Sequence, residues 1–184
     1  CIRDRFTIFF IASSLLYSTY LNKSEKNEEI LKIVPEADPD TNSFTDIIYS
    51  GFDLSGNRYT LNAGKADFKT ETPESIDMSK VTANFYLKND TILKVVSDKG
   101  LYNNITLDME FRENVKATYL TNTLYSEQLN YSNSDGKLLA TGNVRGESVE
   151  KGEFFADNVE YDISNKTLNF SMSGDKKVNI KIKN

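Results

Sequence analysis

The feature that most restricts what this chain can fold into is a two-residue period in its apolar side chains, which begins after residue 44 and runs to the C-terminus. Val81, Ala83, Phe85 and Leu87 hold alternate positions, as do Ile105, Leu107, Met109 and Phe111, then Val115, Ala117 and Tyr119. Leu168, Phe170 and Met172 repeat the pattern, and Val178, Ile180 and Ile182 close it. Successive side chains of a strand point to opposite faces, so strict alternation gathers the apolar set on one side and leaves Thr, Asn, Lys and Asp on the other. The reading is an antiparallel sheet with one dry face. Ser55-Gly56-Asn57, Lys99-Gly100, Asp135-Gly136, Thr141-Gly142-Asn143 and Ser173-Gly174-Asp175 separate the runs and read as turns. No stretch of the body sustains a helical period.

A longer repeat is laid over this one. The segments 63–68, 97–102, 126–131 and 156–161 each place a small residue five positions before an aromatic: Ala63 before Phe68, Ser97 before Tyr102, Ser126 before Tyr131, Ala156 before Tyr161. Two of the units go on to Glu113-Asn114-Val115 or Gly142-Asn143-Val144 at a common offset. Repeats of this size imply stacked strand units, each burying its apolar face against the next. The expected fold class is all-β, a folded-over pair of sheets forming a jelly roll of repeated antiparallel hairpins over residues 44–184.

Ahead of the body, residues 6–21 carry no charge and are preceded by Arg3 and Arg5. Sixteen helical residues span about 24 Å, and flanking side chains can make up the difference to a hydrocarbon core of about 30 Å. Residues 1–21 therefore read as a single transmembrane anchor, with a cleaved secretory signal as the rival reading. The two arginines place its start in the cytoplasm and the rest of the chain outside. Residues 22–43, with Pro35 and Pro39 among mixed charges, read as a tether.

Composition removes most enzymes. With no His and one Cys, a Ser-His-Asp triad, a Cys-His dyad and a His/Cys zinc site all lack their parts. A formal charge of −5 argues against a surface built to neutralise phosphates, so no nucleic-acid partner is expected. No Gly-rich phosphate loop and no cofactor or metal motif is present. Asp98, Glu127 and Asp157 fall at comparable places in three repeats, and paired carboxylates can hydrolyse glycosides; solvated acids beside a turn are the plainer reading.

The anchor, the tether, the phrase from Gly51 through Asp53, Gly56, Asn57 and Tyr59 to Ala63, and the repeats ending in aromatic and Gly-Asn-Val phrases together resemble the lipopolysaccharide-export family typified by LptC. Its members share an OstA-like jelly-roll module with the periplasmic bridge protein LptA. The first repeat departs from the pattern, with Phe68 in place of Tyr and an insert around Pro73, and the third ends in a polar stretch over residues 146–152. The resemblance implies a non-enzymatic, single-pass inner-membrane protein with its β-domain in the periplasm. It would receive lipopolysaccharide from the inner-membrane ABC transporter and pass it to the bridge.

Each buried methylene is worth about 0.8 kcal/mol, so a dry trough between two sheets suits an acyl cargo. The lipid-facing candidates are Phe85, Leu87, Leu107, Met109, Phe111, Val115, Tyr119, Phe170 and Ile180. The resemblance further implies that the C-terminal strand, Val178, Asn179, Ile180, Lys181 and Ile182, docks LptA by strand addition. It places transporter contacts at Ala12, Ser13 and Ser14 in the anchor and at Phe44, Ile47 and Tyr49 at the opposite end of the body. The competing class is a membrane-tethered structural or adhesive β module with a core too tight for a ligand.

Overall fold

The computed structural model describes residues 40–182 apart from 54, 55, 88, 89, 166, 175 and 176. Over that span the chain forms ten strands: β1 (Thr41–Phe52), β2 (Arg58–Lys69), β3 (Ser75–Leu87), β4 (Thr91–Asn103), β5 (Met109–Tyr119), β6 (Asn122–Ser132), β7 (Lys137–Ser148), β8 (Gly152–Asp162), β9 (Thr167–Ser171) and β10 (Asn179–Ile182). Each of the first eight pairs antiparallel with the next, and the far edge of β8 is shared between β9 and β10. Strand β1 begins inside the stretch read as tether, where Thr41, Asn42 and Ser43 pair with Lys69, Phe68 and Asp67.

The long strands do not stay in one layer. Along β2 the buried positions run Tyr59, Leu61, Ala63 and then step by three to Ala66; β3 steps from Met78 to Val81, β6 from Ser126 to Leu129, and β8 from Ala156 to Val159. A flat strand would continue every second residue. The break in phase marks a corner at which each strand turns from one layer into the other. In β5 and β7 the step is four, from Phe111 to Val115 and from Ala140 to Val144, because the ladder slips between Arg112 and Val115 and between Thr141 and Val144. The residues at those slips, Glu113, Asn114, Gly142 and Asn143, have φ of 63°, 53°, 77° and 49°. Asn tolerates this left-handed region and Gly adopts it freely, which is the physical content of the repeated Asn-Val phrases. At Gly142 a Cβ would also meet the Glu127 side chain at 2.6 Å.

Ring contacts show that the two layers face each other. Phe85 on β3 meets Tyr131 on β6 with centroids 5.0 Å apart, and Tyr49 on β1 meets Tyr102 on β4 at 5.2 Å. Strands three apart in a flat sheet are about 14 Å distant, so these contacts require the meander to be folded over. The small-to-aromatic repeat then acquires a meaning. Ala63, Ser97, Ser126 and Ala156 are the last inward residues before the corner, and Phe68, Tyr102, Tyr131 and Tyr161 follow it on the interior.

Several expectations change. Lys99-Gly100 and Thr141-Gly142-Asn143 are not turns but lie within β4 and β7, beside the corner. Ile105 is not on a strand: it sits 75% exposed in the β4–β5 turn, where Asn103 Oδ1 accepts the N–H groups of Ile105 and Thr106 at 2.9 Å each. Leu107 belongs to the same turn, with φ of 65°, and is only partly buried. The alternations in β9 and β10 are real but not dry, because the opposing layer does not cover them fully: Phe170 is 37% and Ile180 62% exposed.

Candidate functional site

The interior differs from one end of the fold to the other. Around Tyr59, Phe85, Phe111 and Tyr131 it is filled. Phe111, Tyr59, Tyr131, Val81 and Val115 are all but inaccessible, and full burial of each such side chain stabilises the fold by about 1.5–3 kcal/mol. The hydroxyls of Tyr59 and Tyr102 are 3.3 Å apart, and Tyr131 donates to Asn133 Oδ1 at 3.2 Å. Burial is the main cause that holds the phenols of Tyr59, Tyr102 and Tyr131 protonated well above their ordinary value.

Elsewhere a cavity of about 500 Å³ lies between the layers, lined by residues from β3 round to β10. At the far edge of β8 each layer ends in one short strand: β9, of 5 residues, pairs with the half from Asn158 to Asp162, and β10, of 4, with the half from Gly152 to Phe155. The wall is built of Leu93, Leu124, Leu129, Leu138, Phe154 and Tyr161 with their neighbours. Polar side chains, Asn122, Glu147, Lys151 and Glu153, enter only near strand ends. Phe154 shapes the space. Its ring lies on Gly146, where a Cβ would come within 1.9 Å of it, and it meets Phe170 edge-on with centroids 4.7 Å apart. Burial beside this cavity raises the Tyr161 phenol above its ordinary value.

The nine lipid-facing candidates divide between the two regions. Leu87, Tyr119, Phe170 and Ile180 line the cavity. Phe85, Met109, Phe111 and Val115 are buried in the filled part, and Leu107 packs against that core from its turn. Alternation could not find Leu124 or Phe154, since each lies in a strand whose corner breaks the period. The phase step of three was the available signal.

The three repeated acids serve the corner. Asp98 Oδ2 accepts from Asn114 Nδ2 and Glu127 Oε1 from Asn143 Nδ2, both at 2.5 Å, while Asp157 Oδ2 accepts the Ser173 N–H at 2.7 Å. Two of them thus hold left-handed residues of the neighbouring strand. Among the described residues no group of three or more His, Cys, Asp or Glu could hold a metal.

Both ends of the strand path are edges. Strand β10 pairs with β8 on one side, and β1 pairs with β2 on one side. Of the β10 candidates, Asn179, Ile180, Lys181 and Ile182 lie on this strand and all are exposed, while Val178 precedes it. On β1, Phe44 packs edge-on against Phe68 at 5.4 Å, Ile47 is partly buried against the core, and Tyr49 leans on Tyr59 and Tyr102. The most exposed apolar residues there are two that alternation did not single out, Ile48 at 77% and Phe52 at 66%. The expected anchor over residues 6–21, with Ala12, Ser13 and Ser14, and the tether up to residue 39 lie outside the described residues. Within the described residues no helix is long and apolar enough to cross a membrane.

No family model matches the chain, and no curated protein matches it. Among solved structures it is similar to LptH from Pseudomonas aeruginosa, the LptA-homologous periplasmic component of that organism's lipopolysaccharide transport device, at 10% identity and a TM-score of 0.32 over 78% of this chain and 95% of that one. A TM-score that low fixes neither the register nor the cavity of this chain, which rest on its own strands.

Proposed function

We propose that this protein is a non-enzymatic lipid carrier whose cavity between the two layers takes acyl chains. The observation that carries the reading is the cavity itself: about 500 Å³ of space walled by Leu, Ala, Val, Phe and Tyr and bordered at one edge by two short strands. A tight adhesive module has no use for such a void, because an unfilled apolar cavity costs stability in proportion to its size. Filling it with methylenes recovers about 0.8 kcal/mol for each one buried.

Taken with the sequence resemblance to the LptC family, the cargo is lipopolysaccharide and the setting the periplasmic face of the inner membrane, with residues 6–21 as a single-pass anchor. The donor is then the inner-membrane ABC transporter, met at the β1 end, and the acceptor is the bridge protein LptA, met at the β10 edge. Exposed, unpaired strand edges suit such contacts, since strand addition draws its affinity from backbone hydrogen bonds. The test is extraction of the protein, purified from a lipopolysaccharide-producing cell, with organic solvent. Near-stoichiometric glycolipid is expected; a clean protein with no extractable lipid would favour the adhesive module.

A further inference from the structure

The cavity ceases to be apolar where residues 149–151 connect β7 to β8. Lys151 lines its mouth from this connection and makes no ion pair among the described residues. Of the two carboxylates that share the mouth, Glu147 is bridged by Arg145, and Glu153 stands opposite Lys181 in the β8–β10 ladder, the Lys181 ammonium lying over the Phe155 ring. Beside the lysine the surface turns apolar again: Val149 in the same connection and Leu120 in the β5–β6 turn are exposed, and the two connections are neighbours because Asn122 pairs with Ser148.

A free ammonium at the rim of an apolar cavity is matched by one kind of ligand, an amphiphile with its chain inside and its anionic group outside. We propose that Lys151 is the headgroup-recognition residue of the cavity, holding the carboxylate or phosphate of an amphiphile whose chain lies against Leu124, Leu138 and Phe154. The assignment rests on the lipid-binding reading above. Because a lysine stem is flexible and an exposed ammonium is strongly hydrated, Lys151 selects by charge rather than by shape, and an arginine serves in its place.

The experiment compares two probes of equal chain length, a BODIPY-labelled hexadecanoic acid and the matching alcohol, on the wild-type chain and on Lys151→Glu, Lys151→Ala and Lys151→Arg. Lys151 is exposed in a turn, so thermal unfolding of all four proteins should coincide. The acid probe should bind Lys151→Glu about tenfold more weakly than wild type and Lys151→Arg equally well, with the alcohol unaffected throughout, and raised salt should erase the acid's advantage. Unchanged acid binding by Lys151→Glu, or equal loss of both probes, would overturn the headgroup assignment alone. A wild-type chain that binds neither probe would overturn the lipid-binding reading and this assignment with it. Presenting the acid probe monomerically and again in phosphatidylcholine vesicles tells a free amphiphile from one drawn out of a bilayer; a Lys151 dependence in either arm supports the assignment, and its absence in both contradicts it.

Discussion

The two ends of this β-fold are built from the same alternating pattern and come out as different materials. Around Phe111, Phe85 and a tyrosine cluster the inward residues meet across the layers and close into a core. Toward the edge formed by β9 and β10 the same kind of side chain borders a cavity or reaches solvent. Alternation reports which face of a strand turns inward. Whether anything fills the space across from that face is decided by residues on other strands.

The comparison breaks most visibly under charge. Phe111→Asp puts an unpaired carboxylate at a fully buried site, at a cost of several kcal/mol out of a total stability of about 5–15 kcal/mol, and should abolish folding as read by near-ultraviolet circular dichroism. Phe170→Asp, at a position 37% exposed on the cavity wall, should leave a folded protein that no longer loads lipid. Equal collapse of both variants would mean that the two ends are one core.

Next in size is Gly146→Leu. The new side chain needs the space of the Phe154 ring, which can yield only toward the cavity, so the variant should lose about 1–3 kcal/mol in urea unfolding together with most of its capacity for an acyl probe. Capacity that survives would place the lipid elsewhere.

The filled end should also be the one that senses alkali. Tyr59, Tyr102 and Tyr131 have folded pKa values raised above the model-compound value of 10.0, so above pH 10 the unfolded chain loses protons that the folded chain retains. Their contribution is then complete below pH 10 and is lost as pH climbs beyond it. Replacing both Tyr59 and Tyr102 with Phe should flatten the alkaline limb of a stability profile; a limb of unchanged slope would refute a role for this pair. The smallest effect is expected on the outer face of the same region. Glu110→Lys gives up the hydrogen bond from Gln128 Nε2 at 3.0 Å and a half-exposed contact with Arg112, and should cost no more than about 1 kcal/mol by thermal unfolding.

Much of this architecture was legible in the residues. Val81, Ala83, Phe85 and Leu87 turn inward along β3 as their spacing requires, and Asp135-Gly136 forms a turn. What hid was the corner. Glycine and asparagine in Thr141-Gly142-Asn143 signal a positive φ, and that signal is shared by turns and by bulges inside a strand; only the slipped pairing with β8 distinguishes the two. The repeated step from Ala63 to Phe68 and from Ser126 to Tyr131 was visible as a repeat, but that it spans a corner shows only in the break of the buried phase. The cavity was the least legible feature. Tyr119 on its wall and Phe111 in the core share one strand and one pattern, and they lie on opposite sides of that strand's corner.

Site-specific photo-crosslinking tests the central claim most directly, because β6 offers two adjacent positions with opposite outlooks. Leu124 lines the cavity, whereas Tyr125 stacks on the outside with Lys116 and Arg145 at 5.7 and 5.6 Å from its ring. With benzoylphenylalanine at each position in turn, irradiation in lipopolysaccharide-producing cells should give a glycolipid adduct from position 124 and none from position 125. Adducts from both positions, from neither, or from 125 alone would contradict a cargo held between the layers.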